Sequence, residues 1–200
     1  MKSSHSSQKV IFCLEIIMYM KKIFLPILFI SIALLSCSSN SPQEYFNRAV
    51  LNCNLLYGFA GYELKRDLAM PSEKLVDEKT LATAPMKRAE VVKNKLDIIE
   101  KNFEKLKELK STDDTKEMLN ASIALYEFVL PVYKNEYQQL AKLYDNGEAS
   151  EKIAAAEKNI TDNYEAKFLA LYQLVGETGK QYATRHGIRV QEVNPSPSIK

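Results

Sequence analysis

Apolar positions along this chain follow two regimes. Between residues 23 and 35 they run almost without interruption, and from residue 41 onward they recur in steps of three and four, the spacing of one helix face. Ser41-Pro42-Gln43-Glu44 reads as the first helix start: Ser41 caps, Pro42 suits the first helical position and Glu44 completes a capping box. Phe46, Val50, Cys53, Tyr57, Ala60 and Leu64 then form one stripe. A second helix, over residues 85–110, carries Val92, Leu96, Ile99, Phe103, Leu106 and Leu109, separated by charges of both signs that mark a solvated face. A third starts at Ser111-Thr112-Asp113-Asp114, whose acids suit a helix N-terminus. Its stripe is Leu119, Ile123, Tyr126, Leu130, Tyr133, Tyr137, Leu140 and Tyr144, the strongest periodic signal in the chain. Pro131 falls inside it and predicts a kink, because the carbonyl of Glu127 loses its donor; Asn146-Gly147 ends the helix. A fourth helix, over residues 150–186, carries Ile153, Ala156, Ile160, Tyr164, Phe168, Leu171, Val175 and Tyr182, and stops at Arg185-His186-Gly187.

No hairpin signal and no alternating strand pattern competes with these helices. The expected fold is all-α, an antiparallel up-down four-helix bundle with a long first connection. That connection, residues 66–84, contains Met70-Pro71-Ser72. It is long enough to carry function or to hide a short helix that packs Leu75, Val76 and Leu81 against the end of the bundle.

The continuous run has a different meaning. Met20-Lys21-Lys22 supplies a basic start, and residues 23–35 are 13 mostly apolar positions. A spanning helix needs about 20, so the run fits a secretory signal peptide. It ends in Leu34-Leu35-Ser36-Cys37, which resembles the lipobox of bacterial lipoproteins. The resemblance implies cleavage between Ser36 and Cys37, diacylglycerol on the Cys37 thiol and an acyl chain on the new amino group. Two or more chains give durable membrane anchoring where one gives only marginal binding. The alternative is an uncleaved signal anchor with a chance cysteine. Residues 1–19 are not required by a signal peptide, so translation is expected to start at Met20. The layout is then a signal peptide over residues 1–36, a lipidated tether over 37–41, a helical domain over 42–188 and a flexible tail over 189–200, with Pro195 and Pro197 in it.

Composition narrows the classes. At 46% hydrophobic the chain is not disordered, and 3 cysteines in 200 residues do not make a disulfide scaffold. The formal charge of +2 belongs to the leader: Lys2, Lys9, Lys21 and Lys22 against Glu15 leave with residues 1–36, and the remainder carries −1. No electrostatic case for nucleic acid follows.

Catalytic patterns are missing from the sequence. After Cys37 there is a single histidine, His186, no Glu-x-x-His pair, no cluster of Cys and His, no G-x-S-x-G turn and no Gly-rich phosphate loop. The expectation is a non-enzymatic protein with no metal and no cofactor beyond the lipid on Cys37. Cys53 reads as a small buried hydrophobe or as a free thiol open to an intermolecular disulfide. Gly58 and Gly61 read as a helix end or close approach, or as a kink that opens the bundle to a ligand. The tyrosines, 11 in all, read as a mixed core with hydroxyls at its rim. The other reading is an aromatic groove formed by Tyr57, Gly58, Gly61, Tyr126, Tyr133 and Tyr137. Glu127 and Glu136 flank that stripe and are expected to face solvent.

Taken with the lipobox, the length and the aromatic helical stripes around Tyr126–Tyr144 and Tyr164–Tyr182 resemble the uncharacterised helical surface lipoproteins of Bacteroidetes and spirochaetes. The resemblance implies outer-membrane placement in a bacterial cell envelope. Ser38 permits it, because the Asp that commonly retains lipoproteins at the inner membrane is not there. The acidic export motif is missing after Cys37, so periplasmic and surface-facing placement both stay open. The expected function is an envelope binding or structural module with a protein partner, of open oligomeric state. The alternative is a bundle that binds a small ligand near Gly58–Met70.

Overall fold

The helix start at Ser41 forms as its residues dictate. Ser41 Oγ accepts from the Glu44 amide at 3.2 Å, and Pro42 takes the first helical position. Glu44 does not complete the capping box; its carboxylate pairs with Arg48 instead. The computed structural model describes residues 40–70 and 72–190 of the 200. The signal segment, Ser36, Cys37 and the tail beyond residue 190 lie outside the described residues.

The order of elements is α1 (Pro42–Ala49), a 3-10 turn (Leu51–Leu56), α2 (Tyr62–Ala69), β1 (Glu73–Asp77), β2 (Ala82–Pro85), α3 (Arg88–Lys107), α4 (Lys116–Val132), a π-helical segment (Tyr133–Tyr137), α5 (Gln138–Asp145) and α6 (Ser150–Arg185). The protein is mostly helical with a small two-stranded sheet. Three of the four expected helices appear within a few residues of their expected bounds: α3, the α4–π–α5 rod, and α6. All six residues of the expected second stripe, Leu109 just past the end of α3 included, are buried or half-buried.

The first helix is a correction. It breaks after Ala49, because the amide of Cys53 reaches only to the carbonyl of Val50 at 3.0 Å. The chain then turns at residues 57–61, where Gly58 (φ 76°) and Ala60 (φ 58°) both take left-handed backbone. Tyr57 leaves the stripe and is 55% exposed. Gly58 is required there: a Cβ would meet Glu63 Cγ at 2.3 Å.

The hidden helix over the first connection is a second correction. α2 occupies its start, and β1 and β2 form an antiparallel hairpin with Glu73 opposite Pro85 and a bulge between Leu75 and Asp77. Asp77 Oδ1 accepts from the amides of Lys79 (2.8 Å) and Thr80 (3.2 Å), which shapes the turn. Leu75, Val76 and Leu81 are exposed rather than packed on the bundle.

Pro131 does not end its helix. The π-helical segment directly after it re-registers the backbone, and the rod continues to Asp145. Two left-handed glycines then stop α5 and α6 in the same way. Gly147 and Glu148 donate back to Tyr144 and Leu143, and Gly187 and Ile188 to Thr184 and Ala183.

Neighbouring rods run antiparallel. Asp145, at the end of α5, accepts from the amides of Arg88 (2.8 Å) and Ala89 (3.0 Å) and so caps the start of α3. At the other end, Tyr45 donates to the Lys110 carbonyl, and Arg185 reaches Asp114. Asn40 thus lies with the end of α3, the start of α4 and the end of α6. The hairpin lies with the start of α3, to which Lys74 ties it through Glu90 at 2.6 Å.

α6 carries two glycines in opposite surroundings. At Gly179 a Cβ would meet Val50 Cγ2 at 2.6 Å, while at exposed Gly176 it would meet nothing within 4 Å. Gly176→Ala should therefore raise stability by up to about 1 kcal/mol through helix propensity. Gly179→Ala should lower it by about 1–2 kcal/mol net, with Val50→Ala rescuing it. Urea midpoints of the four variants check this; equal effects at the two glycines would refute the close approach.

Candidate functional site

The six residues of the alternative groove reading take other places. Tyr126, Tyr133 and Tyr137 are buried in the core. Phe59 sits among them, with ring centroids at 5.0 Å from Phe168, 5.6 Å from Tyr137, 5.7 Å from Tyr133 and 6.1 Å from Phe128. Tyr137 Oη accepts from the Ala60 amide at 2.7 Å, and Thr161 Oγ1 donates to the Ala60 carbonyl at 2.8 Å. Burial pushes the phenols of Tyr133 and Tyr137 well above their ordinary value. Gly58 and Gly61 belong to the turn that delivers Phe59, and Tyr57 lies outside against Tyr172 at 6.4 Å. These residues hold the fold together.

Cys53 is likewise internal. Breaking α1 leaves the Ala49 carbonyl without its usual amide donor, and Ser122 Oγ (2.6 Å) and Cys53 Sγ (3.1 Å) take its place. Burial pushes the thiol up to about 12. Tyr126 donates to the Asn52 carbonyl at 3.3 Å in the same region.

The concavity of interest is a surface groove of about 650 Å³ between the α4–π rod and α6. None of the six residues lines it. Its apolar part includes Phe128, Pro131 and Tyr164, the Phe128 and Tyr164 rings being 6.1 Å apart and tilted by 54°. Glu127 and Glu136 stand on its rim, Glu127 exposed and Glu136 half-buried. From α6, Lys167 lays its ammonium over the Phe128 ring at 4.9 Å. Pro131 has no amide hydrogen, so the Glu127 carbonyl lacks its i+4 donor at the same wall. Periodicity hid this groove because Phe128 lies off the main stripe; the interior proline was the one signal that pointed to it.

A second polar cluster closes the other end of the domain. Asp114 accepts from Arg185 Nε at 3.0 Å and lies 2.6 Å from His186 Nε2. Asp114 therefore clamps the end of α6, where the sequence reading gave it to a helix start; Thr112 and Thr115 exchange amide–hydroxyl bonds in the turn before α4, and the Thr115 side chain does not cap that helix. The hydrogen bond from His186, then that from Arg185, holds the Asp114 carboxyl below its usual range.

Among the described residues no group of three or more His, Cys, Asp or Glu is placed to hold a metal ion, and no helix is long and apolar enough to cross a membrane. No protein-family model, curated protein or solved structure matches the chain.

Two outcomes follow from the titrating groups. A depressed carboxyl contributes stability above its unfolded value of about 3.9 and loses it as pH falls through the folded value. The urea midpoint of Asp114→Asn should therefore lie below wild type at pH 6, with the gap narrowing below about pH 4; a constant gap would mean that charge on Asp114 is irrelevant. At pH 8 the Cys53 thiol should react with a maleimide only when the chain unfolds, which mass spectrometry with and without urea reads directly.

Proposed function

We propose that this chain is a lipid-anchored protein of the bacterial cell envelope, an outer-membrane lipoprotein, that acts as a non-enzymatic binding or structural module for an envelope partner. The observation that carries the reading is the order of signals at its start. A basic Met20-Lys21-Lys22, a 13-residue apolar run and Leu34-Leu35-Ser36-Cys37 are followed within four residues by the helix cap Ser41. A short link between an acylated cysteine and a folded domain is the layout that lipid tethering needs. The mostly helical fold is consistent with it. We read that fold as a four-helix bundle whose first member is interrupted at residues 50–61.

The ends of the domain support a partner-facing role. Asn40, nearest the proposed anchor in sequence, lies at the end of the helices opposite the hairpin. The hairpin exposes Leu75, Val76 and Leu81, with Met70 just before it, at the end away from that link. A second reading, a bundle that holds a small ligand, is favoured by the groove beside Pro131 rather than by the Gly58–Met70 region.

The test is intact mass and membrane fractionation of natively expressed protein, with Cys37→Ala alongside. The expected result is an N-terminus at Cys37 that carries acyl mass and partitions with membranes, both lost in the variant. An unmodified chain that retains residues 20–36 would overturn the anchor.

A further inference from the structure

The groove between the α4–π rod and α6 has the dimensions of a small-molecule site: about 650 Å³, where ligand pockets run from roughly 300 to 1,000 Å³. Its chemistry is one-sided. Phe128 and Tyr164 line it, and the Phe128 ring presents to Lys167 the face that carries the negative lobe of the aromatic quadrupole. Glu127 and Glu136 add two carboxylates, and neither pairs with a cation among the described residues.

One group of the chain itself already uses this chemistry. The Lys167 ammonium rests over Phe128 at 4.9 Å, with no carboxylate in ion-pair range among the described residues. A primary ammonium on an alkyl stem thus occupies the aromatic wall. Lys167 is long and flexible, and leaving the ring costs it only a weak cation–π contact.

The geometry points to this groove as a binding site for an organic monocation with an apolar body, an alkyl- or arylammonium that takes the place of Lys167 over Phe128 and turns its charge toward Glu127 and Glu136. An anionic ligand would meet two carboxylates against the single ammonium of Lys167. A neutral apolar ligand would cover them and gain nothing from their charge. The inference deepens the small-ligand reading above and is independent of Cys37: acyl mass tests the anchor, titration tests the groove, and each can fail alone.

The experiment is calorimetric titration of the full chain in a neutral detergent at low ionic strength, with detergent alone as the blank. Phenethylammonium is the probe; 2-phenylethanol and phenylacetate are its neutral and anionic counterparts. The expected order is saturable binding of phenethylammonium, with both counterparts at least about tenfold weaker, from a cation–π contact together with the rim charges. Glu127→Gln with Glu136→Gln, two substitutions close in shape, should weaken the ammonium about fivefold and leave the alcohol unchanged. Lys167→Met, which keeps the stem and removes the charge, should tighten the ammonium about threefold. The opposite signs of these variants carry the test, and a circular dichroism melt of each confirms that it folds. Equal affinity for ammonium and alcohol would reduce the groove to an apolar cleft. Weaker ammonium binding in Lys167→Met, tighter phenylacetate binding than ammonium binding, or no saturable binding at all would overturn the proposal.

Discussion

The structure hangs on one clamped residue. Ala60 adopts a left-handed backbone that costs a side-chain-bearing residue about 1–2 kcal/mol, and it is held on both sides. Tyr137 from the α4–α5 rod accepts its amide, and Thr161 from α6 donates to its carbonyl. The turn so fixed drives Phe59 inward, where four aromatic rings from two other elements surround it. Without this turn, α2 and the hairpin would not be delivered to the start of α3, and the aromatic centre would lack its middle ring. The two hydrogen bonds also explain why a buried tyrosine and a half-buried threonine stand at these positions. An apolar residue would leave a backbone group buried without a partner, at about 1–3 kcal/mol each.

Interruption of helices is put to use throughout the domain. The break after Ala49 frees a carbonyl that draws Ser122 and Cys53 into one polar knot inside an apolar core. Pro131 removes another amide donor, and the π-helical segment after it carries the rod on to Asp145 beside the groove that Glu127 and Glu136 border.

The long stripes were legible because their period is enforced by burial over many turns. The eight residues from Leu119 to Tyr144 keep their spacing across both the proline and the π-helical segment, and all are buried or half-buried. The first helix misled because its 4-3-4-3-4 spacing continued through Tyr57 and Ala60, residues the backbone places outside the helix. Nothing in an apolar pattern distinguishes a helix from a 3-10 turn followed by a left-handed corner; Gly58 and Gly61 were the local signal, and it was ambiguous. The hairpin was invisible for another reason. A strand with neither face buried shows no alternation, and its turn is built on Asp77 and a left-handed Leu81 rather than on Asn-Gly. The groove escaped because its aromatic wall belongs to the flank of one stripe and the edge of another, which only the packing of two helices brings together.

The contact between Asp145 and the start of α3 reaches into how the domain assembles. A helix normally receives its cap from the residue just before it, so its first turn is a local affair. Here the capping carboxylate comes from a position 57 residues later in the chain. The amides of Arg88 and Ala89 can be protected from solvent hydrogen exchange only once α5 has docked. They therefore report on closure of the whole rod assembly rather than on the fraying of one helix end. In folding, the capping of the first turn of α3 must wait for the last turn of α5.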